Sequence, residues 1–170
     1  VVIIGAGGGA SVEAADSCER AGLALPSLPV SIREGLRQFT PEAGTGIGNP
    51  VDTPRWSVWG PSGFMRAVRL VEPEADIILC SISVAFGLYQ PAPKEQMEQI
   101  DAIIEASQAI SKPIVVVLRT SGAPESIQQS SELQQRCFEA RLPTYTTIGR
   151  ASRAIAKFVE HRTAMARLYP

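Results

Sequence analysis

Residues 76–84 read DIILCSISV, and no other stretch decides the fold class more directly. An apolar run of this kind, bounded by polar and turn-forming residues, reads as a strand buried on both faces. Such strands are typical of parallel sheets, where helices cover both sides. VVII at Val1–Ile4 and PIVVVL at Pro113–Leu118 have the same character. Helical spacing of apolar residues predicts helices around them. Ser11–Ala21 carries Val12, Ala15 and Cys18 on one stripe, with Gly22 as its stop. Ile32–Phe39 has Ser31 as a candidate N-cap and Glu34 to complete a capping box. Pro61–Val71, Lys94–Ile110, Ser126–Ala140 and Arg150–Arg167 follow. Two shorter strands are expected at Leu23–Leu25, closed by Pro26, and at Thr144–Thr146. Strands and helices alternate along the chain, so the expected fold is α/β: a three-layer, doubly wound parallel sheet of about five strands in flavodoxin-like order. No second domain, repeat or low-complexity tract is evident.

The bulk numbers agree with a cored domain and exclude several functions. The chain has 170 residues, 45% hydrophobic and 19% charged, with a formal net charge of −1. Nothing in that balance marks disorder, and no basic field exists to hold nucleic acid or an anionic membrane. No apolar run reaches the roughly 18 residues of a membrane span. VVII is also too short for a signal peptide's apolar core. The sequence begins inside an apolar strand without an initiator Met, and it is expected to be a piece of a longer protein. Cys18, Cys80 and Cys137 are widely spaced, with no CxxC. They read as small buried hydrophobes in a reducing cytoplasm, so the expected location is cytoplasmic. No metal site is expected.

The first predicted strand runs into Gly5, Gly7, Gly8 and Gly9, and a helix follows. Glycine there costs backbone entropy and adds nothing to a core. In a sheet of this class ligands bind at the carboxyl ends of the strands, where this loop lies. Glycines let a ligand approach the main chain, and the helix start offers free N–H groups and a positive dipole end. The expectation is an anion site, most simply for phosphate, formed by Gly7, Gly8, Gly9, Ala10 and Ser11. A tight strand–helix turn with no ligand is the competing reading. Gly5, Gly7 and Ala10 also fit the dinucleotide pattern G-x-G-x-x-G/A. The acid that pattern needs at the end of the second strand is missing, since LALPSLPVS holds no carboxylate. No Gly-Lys-Ser/Thr follows, which excludes a P-loop. Ser81 and Ser83 lack the G-x-S-x-G elbow of a serine hydrolase, and the strand ends lack the carboxylates of a receiver domain.

Several residues outside the glycine loop are candidates. Asn49 and Asp52 flank Pro50 in a Gly-, Pro- and Thr-rich loop from Thr40 to Gly60. A loop of about twenty residues inside a compact domain is usually functional or mobile. Asn49 and Asp52 either close it as an Asx turn, or line the anion crevice or dock a partner domain. Arg119 follows the PIVVVL strand, at the same carboxyl edge. It is a cation for the crevice, a docking residue or an ordinary exposed arginine. Trp56 and Trp59 either anchor an interface or cover the core. His161, the only histidine, lies in the last helix among arginines and reads as a surface residue.

GGGASVEAADSCERAGLALPSL, then NPVD at Asn49–Asp52, then the strand–helix series to KPIVVVL, resembles the ligase domain of NDP-forming acyl-CoA synthetases. This is the superfamily of succinyl-CoA ligase and the ADP-forming acetyl-CoA synthetases. The resemblance covers nearly the whole chain in order and implies a single flavodoxin-like domain over residues 1–170. It implies a role in interconverting acid, CoA and NTP with acyl-CoA, NDP and phosphate, by way of an acyl phosphate and a phosphohistidine in another domain. It implies that the helix after Gly9 aims its N-terminus at that phosphohistidine. CoA, nucleotide and Mg would be held by the full enzyme and none tightly by this domain. The partners implied are CoA-binding, His-bearing and ATP-grasp domains, in the same or a partner chain. No catalytic residue is assigned to this chain, which is expected to be inactive alone. Where the family loop often reads Thr-Asn-Gly-Gly-Gly, this chain has Gly5-Ala6-Gly7-Gly8-Gly9. Phosphate contacts would then fall to main-chain N–H groups and Ser11. A flavodoxin-like binding or assembly module without catalysis is the alternative.

Overall fold

The computed structural model describes residues 1–5, 7–40, 46–52, 56–85 and 92–168. The elements run β1 (Val2–Gly5), α1 (Gly8–Arg20), α2 (Val30–Arg37), α3 (Trp56–Val71), β2 (Ile78–Val84), α4 (Pro93–Ala109), β3 (Ile114–Thr120), α5 (Pro124–Glu139), β4 (Thr144–Tyr145) and α6 (Ile148–Leu168). The sheet is parallel throughout, in the order β1-β2-β3-β4. That is the α/β, doubly wound class the apolar runs predict.

Both faces of the strands are buried, and alternate residues feed two cores. Val2, Ile4, Ile78, Cys80, Ile114 and Val116 join one cluster with Leu36 of α2, Val68 of α3, Ile103 of α4 and Leu133 of α5. Ile3, Leu79, Val115 and Val117 join the other with Ala14 and Cys18 of α1 and Ile148, Ala151 and Ile155 of α6. This is why the strands show no polar alternation: each side chain has a helix over it. Each fully buried Ile or Leu contributes about 1.5–3 kcal/mol of transfer free energy. The α1–α6 contact uses small residues, Ala14 and Cys18 against Ala151 and Ser152. Cys18 Sγ lies 3.4 Å from Ser152 Oγ, which itself donates to the Ile148 carbonyl at 2.9 Å.

Among the described residues the sheet has four strands where about five are predicted. The missing one is Leu23–Leu25. Gly22 takes φ 76°, and the Leu23 N–H donates back to the Cys18 carbonyl at 3.0 Å. That N–H is spent closing α1 in a glycine-ended C-cap, and Pro26 and Pro29 offer none. The vacant edge of β1 is taken by a later segment. Val51 donates to the Ile3 carbonyl at 2.8 Å and accepts from the Gly5 N–H at 3.0 Å. The Asn49 side-chain amide extends that ladder as a peptide would. Its Oδ1 accepts from the Ile3 N–H at 3.0 Å, and its Nδ2 donates to the Val1 carbonyl at 2.8 Å.

Three helix boundaries also differ from expectation. The first helix begins at Gly8 rather than Ser11, inside the glycine run. The second begins at Val30 with Pro29 as its cap residue, and the Pro29 carbonyl accepts from the Arg33 N–H at 3.1 Å. Ser31 therefore sits within the first turn, and the Ser31–Glu34 capping box does not form. Finally, Trp56–Gly60 is a helical turn leading into Pro61–Val71, broken at Gly60 with φ 53° and ψ −169°. The loop expected over Thr40–Gly60 is therefore shorter; its residues 41–45 and 53–55 lie outside the described residues.

Candidate functional site

The β1–α1 corner is built from main chain. Gly5 ends β1 in register with Ser81 of β2, at φ 94°. A Cβ there would run into the Ser81 carbonyl oxygen, so the strand can approach only as glycine. Gly7 is the cap residue, at φ 74° and ψ 155°, and its carbonyl accepts the Ser11 N–H at 2.9 Å. No side chain of the helix caps this end, and its first turn holds no acid. Gly7, Gly8 and Gly9 are exposed, Ala10 is half-buried and Ser11 is buried. The first N–H groups of an α-helix have no intrahelical acceptor. Here they face solvent at the carboxyl edge of the sheet, with the positive end of the helix dipole behind them.

Asp52 reaches this corner from the segment that flanks β1. Its own N–H donates to the Gly46 carbonyl at 2.7 Å, which fixes its backbone. Its carboxylate comes up against the glycines: Oδ2 lies 3.9 Å from where a Cβ on Gly8 would stand. The residue is 8% exposed, and Oδ1 is buried without a hydrogen-bond partner. Burial pushes the Asp52 carboxyl above its usual range, opposed in part by the Gly7 main-chain N–H. Two hydroxyls nearby in the fold, Ser11 Oγ and Ser81 Oγ, are also buried without a partner. Ser81 was legible in the sequence only as a strand residue. Its pairing with Gly5 is what brings it to this edge.

Asn49 and Arg119 take other positions. Among the described residues the Asn49 amide bonds Ile3, Val1 and Pro26, so the side chain lies along the edge of β1 and not against the glycines. Arg119 is half-buried at the carboxyl end of β3. Burial lowers its guanidinium pKa, and the nearby Glu13 of α1 works against that shift. Arg119 is thus linked electrostatically to the helix that the glycine loop begins.

Of the remaining candidates, Trp59 is core: it is 4% exposed, and its Nε1 donates to Thr40 Oγ1 at 3.3 Å. Trp56 is half-buried, donates to Glu98 Oε2 at 3.3 Å and packs on Phe64. With Ile4, Gly5, Ser81 and Ile103 the two tryptophans line a cavity of about 50 Å³, room for a water or two. The three cysteines are free and buried, and burial pushes the Cys80 thiol up to about 12, which leaves it unreactive. His161 is exposed on α6. Among the described residues no group of His, Cys, Asp and Glu gathers as a metal site requires. No described helix is long and apolar enough to cross a membrane.

Residues 1–166 match the family model of the Ligase-CoA domain. The fold is similar to the crystal structure of PH0766 from Pyrococcus horikoshii OT3, with a TM-score of 0.67 and 25% sequence identity over 92% of this chain and 34% of that one. It is also similar to the apo form of a dinucleotide forming acetyl-coenzyme A synthetase 1 from Ca. Korarchaeum cryptofilum. There the TM-score is 0.70 and the identity 24%, over 99% of this chain and 35% of that one. The chain thus spans about a third of the length of either. No curated protein matches it.

Proposed function

The chain belongs to the Ligase-CoA domain family, and from that premise we propose that it serves as one domain of an NDP-forming acyl-CoA synthetase. In this reading the enzyme interconverts acid, CoA and NTP with acyl-CoA, NDP and phosphate. The phosphoryl group passes through an acyl phosphate and a histidine supplied by another domain. This chain contributes the start of α1 as the seat for that group. One observation carries the reading: an exposed helix N-terminus made of glycines, with neither a side-chain cap nor a first-turn acid, at the carboxyl edge of a parallel sheet. The donors are the N–H groups of Gly8, Gly9 and Ala10, with the Ser11 hydroxyl behind them. They suit phosphate oxygens by hydrogen bonding and by the helix field.

CoA, nucleotide and Mg fall to the CoA-binding and ATP-grasp domains. The donor set here, N–H groups with a single carboxylate, is that of an anion seat and not of a Mg chelate. Val12, 63% exposed one turn into α1, is apolar surface beside the seat that a docking His-bearing domain would cover. His161 does not supply the phosphoryl carrier in this reading, because it lies on the exposed half of α6. The three unpaired thiols suit a cytoplasmic setting.

Amide NMR during titration of the 170-residue chain with inorganic phosphate tests the seat. The Gly7–Val12 amides are expected to shift together and saturate. If they stay still while other residues move, or if nothing moves, the glycine run is a turn or a docking edge. The non-catalytic binding-module reading would then stand in its place.

A further inference from the structure

The seat already holds a negative charge of the protein's own. Asp52 reaches α1 from outside the helix, through the segment paired on β1, and brings Oδ2 to 3.9 Å from where a Cβ on Gly8 would stand. That oxygen faces the glycines. The other, Oδ1, is buried with no hydrogen-bond partner. An unpartnered carboxylate oxygen in a site nine-tenths shielded from water is costly, and it raises the energy of any second anion brought alongside. Yet an arriving phosphoryl group seeks the N–H groups of Gly8, Gly9 and Ala10 beside it.

Resting on the anion-seat reading above, we propose that Asp52 is a proton-operated gate on the α1 N-terminus. Ionised, it occupies the seat and opposes a phosphoryl dianion. With a proton taken from solvent it becomes neutral, and the charge that opposes the phosphoryl oxygens is removed. Phosphoryl binding and proton uptake are then one coupled event, and the phosphoryl ligand and the proton are released together. The groups around Asp52 leave this switch to it alone. Burial and the Gly7 N–H are the two causes acting on its titration, and no charged side chain is among them. From α1, Glu13 faces Arg119. The flanking β1 and the segment from Gly46 to Val51 carry no charged residue.

Sulfate is the probe, because it stays a dianion across the range in which phosphate itself titrates. The 170-residue chain and its Asp52→Asn variant are titrated with sulfate from about pH 8 to about pH 4, reading the Gly7–Val12 amides. The wild-type affinity is expected to rise several-fold as the pH falls. Asp52→Asn, neutral and nearly isosteric, is expected to bind about tenfold more tightly than wild type near pH 7 and to show a flat profile. A flat wild-type profile, or a variant that binds no more tightly than wild type, overturns the gate while leaving the seat intact. If neither protein binds sulfate at these amides at any pH, the seat itself is wrong and the gate falls with it. Should the variant fail to fold, the wild-type series decides, since a flat profile there is sufficient to overturn the proposal.

Discussion

Two corners of this sheet have the same topology and opposite chemistry. At the β3–α5 corner the protein satisfies itself. The Ser121 N–H donates to Ser126 Oγ at 3.2 Å, the Ser126 hydroxyl donates to the Val84 carbonyl, and the Ala123 N–H donates to Ser121 Oγ at 3.4 Å. Pro124 opens the helix without an N–H to orphan, and Glu125 sits in the first turn against the dipole. At the β1–α1 corner none of these devices is present within the loop or helix. Glycines replace serines and proline, and the single acid that arrives comes from a distant segment. A strand–helix turn does not need bare main chain, as the β3–α5 corner demonstrates. The bare one leaves its N–H groups open, which is what the proposed anion seat requires.

That contrast can be broken by moving side chains into or out of each corner. The largest effect is expected for Gly5→Ala. Its Cβ meets the Ser81 carbonyl oxygen at φ 94°, and backbone is not free to yield. A loss of about 3–5 kcal/mol in urea unfolding is expected. An unchanged midpoint would mean that β1 and β2 are not so closely joined. Next is Ser126→Ala in the closed corner. It strips the Val84 carbonyl and the Ser121 N–H of a fully buried partner, for about 1–3 kcal/mol. Asn49→Ala should lie close below it, since the amide stands in for a strand at β1 and is only partly buried. Thermal unfolding ranks the two, and faster amide exchange at Ile3 would mark the second. Gly9→Ala has the opposite sign. Nothing lies within 4 Å of the added Cβ, and the site is helical, so about 0.5–1 kcal/mol of stabilisation is expected. Loss of stability on Gly9→Ala would show that the helix does not begin where it does here.

The same contrast explains what the sequence made legible. β2, β3 and the long helices could be read because their evidence is local. An unbroken run such as PIVVVL has one meaning when both faces are covered, and the Ile100, Ile103, Ile104 and Ile110 pattern over Lys94–Ile110 needs only its own spacing. The glycine run was legible as a corner, but the start of α1 inside it was not. Helix propensity disfavours Gly8 and Gly9, and tertiary geometry overrides it. The fifth strand failed for a long-range reason. Leu23–Leu25 has strand composition, but its first N–H is consumed by the α1 cap, and an asparagine side chain from a later loop takes its place on β1. Trp59 reads as loop from its Gly- and Pro-rich neighbours, and only packing on Phe39 and Thr40 makes it core. Asp52 at the glycines is likewise a contact between segments, which no spacing within either segment encodes.

The smallest effect distinguishes the two corners through pH. Asp52 has a folded-state pKa above its unfolded value, because burial disfavours its charged form. The folded state therefore takes up its proton before the unfolded state does as pH falls. Where the folded state binds more protons, stability rises with decreasing pH. The penalty of the buried charge is fully present above the folded pKa, shrinks as pH falls through it, and is gone below the unfolded value near 3.9. Asp52→Asn should accordingly be the more stable protein near neutral pH, with its advantage in thermal unfolding fading as the solution is acidified toward that value. Ser126→Ala, in a corner where no buried carboxylate is involved, should show a deficit that does not follow this pH course. If Asp52→Asn instead lowers the melting temperature at neutral pH, the charge is being used to hold Gly7 in place. The β1–α1 corner would then be capped in the same sense as its neighbour, by an acid borrowed from outside the helix.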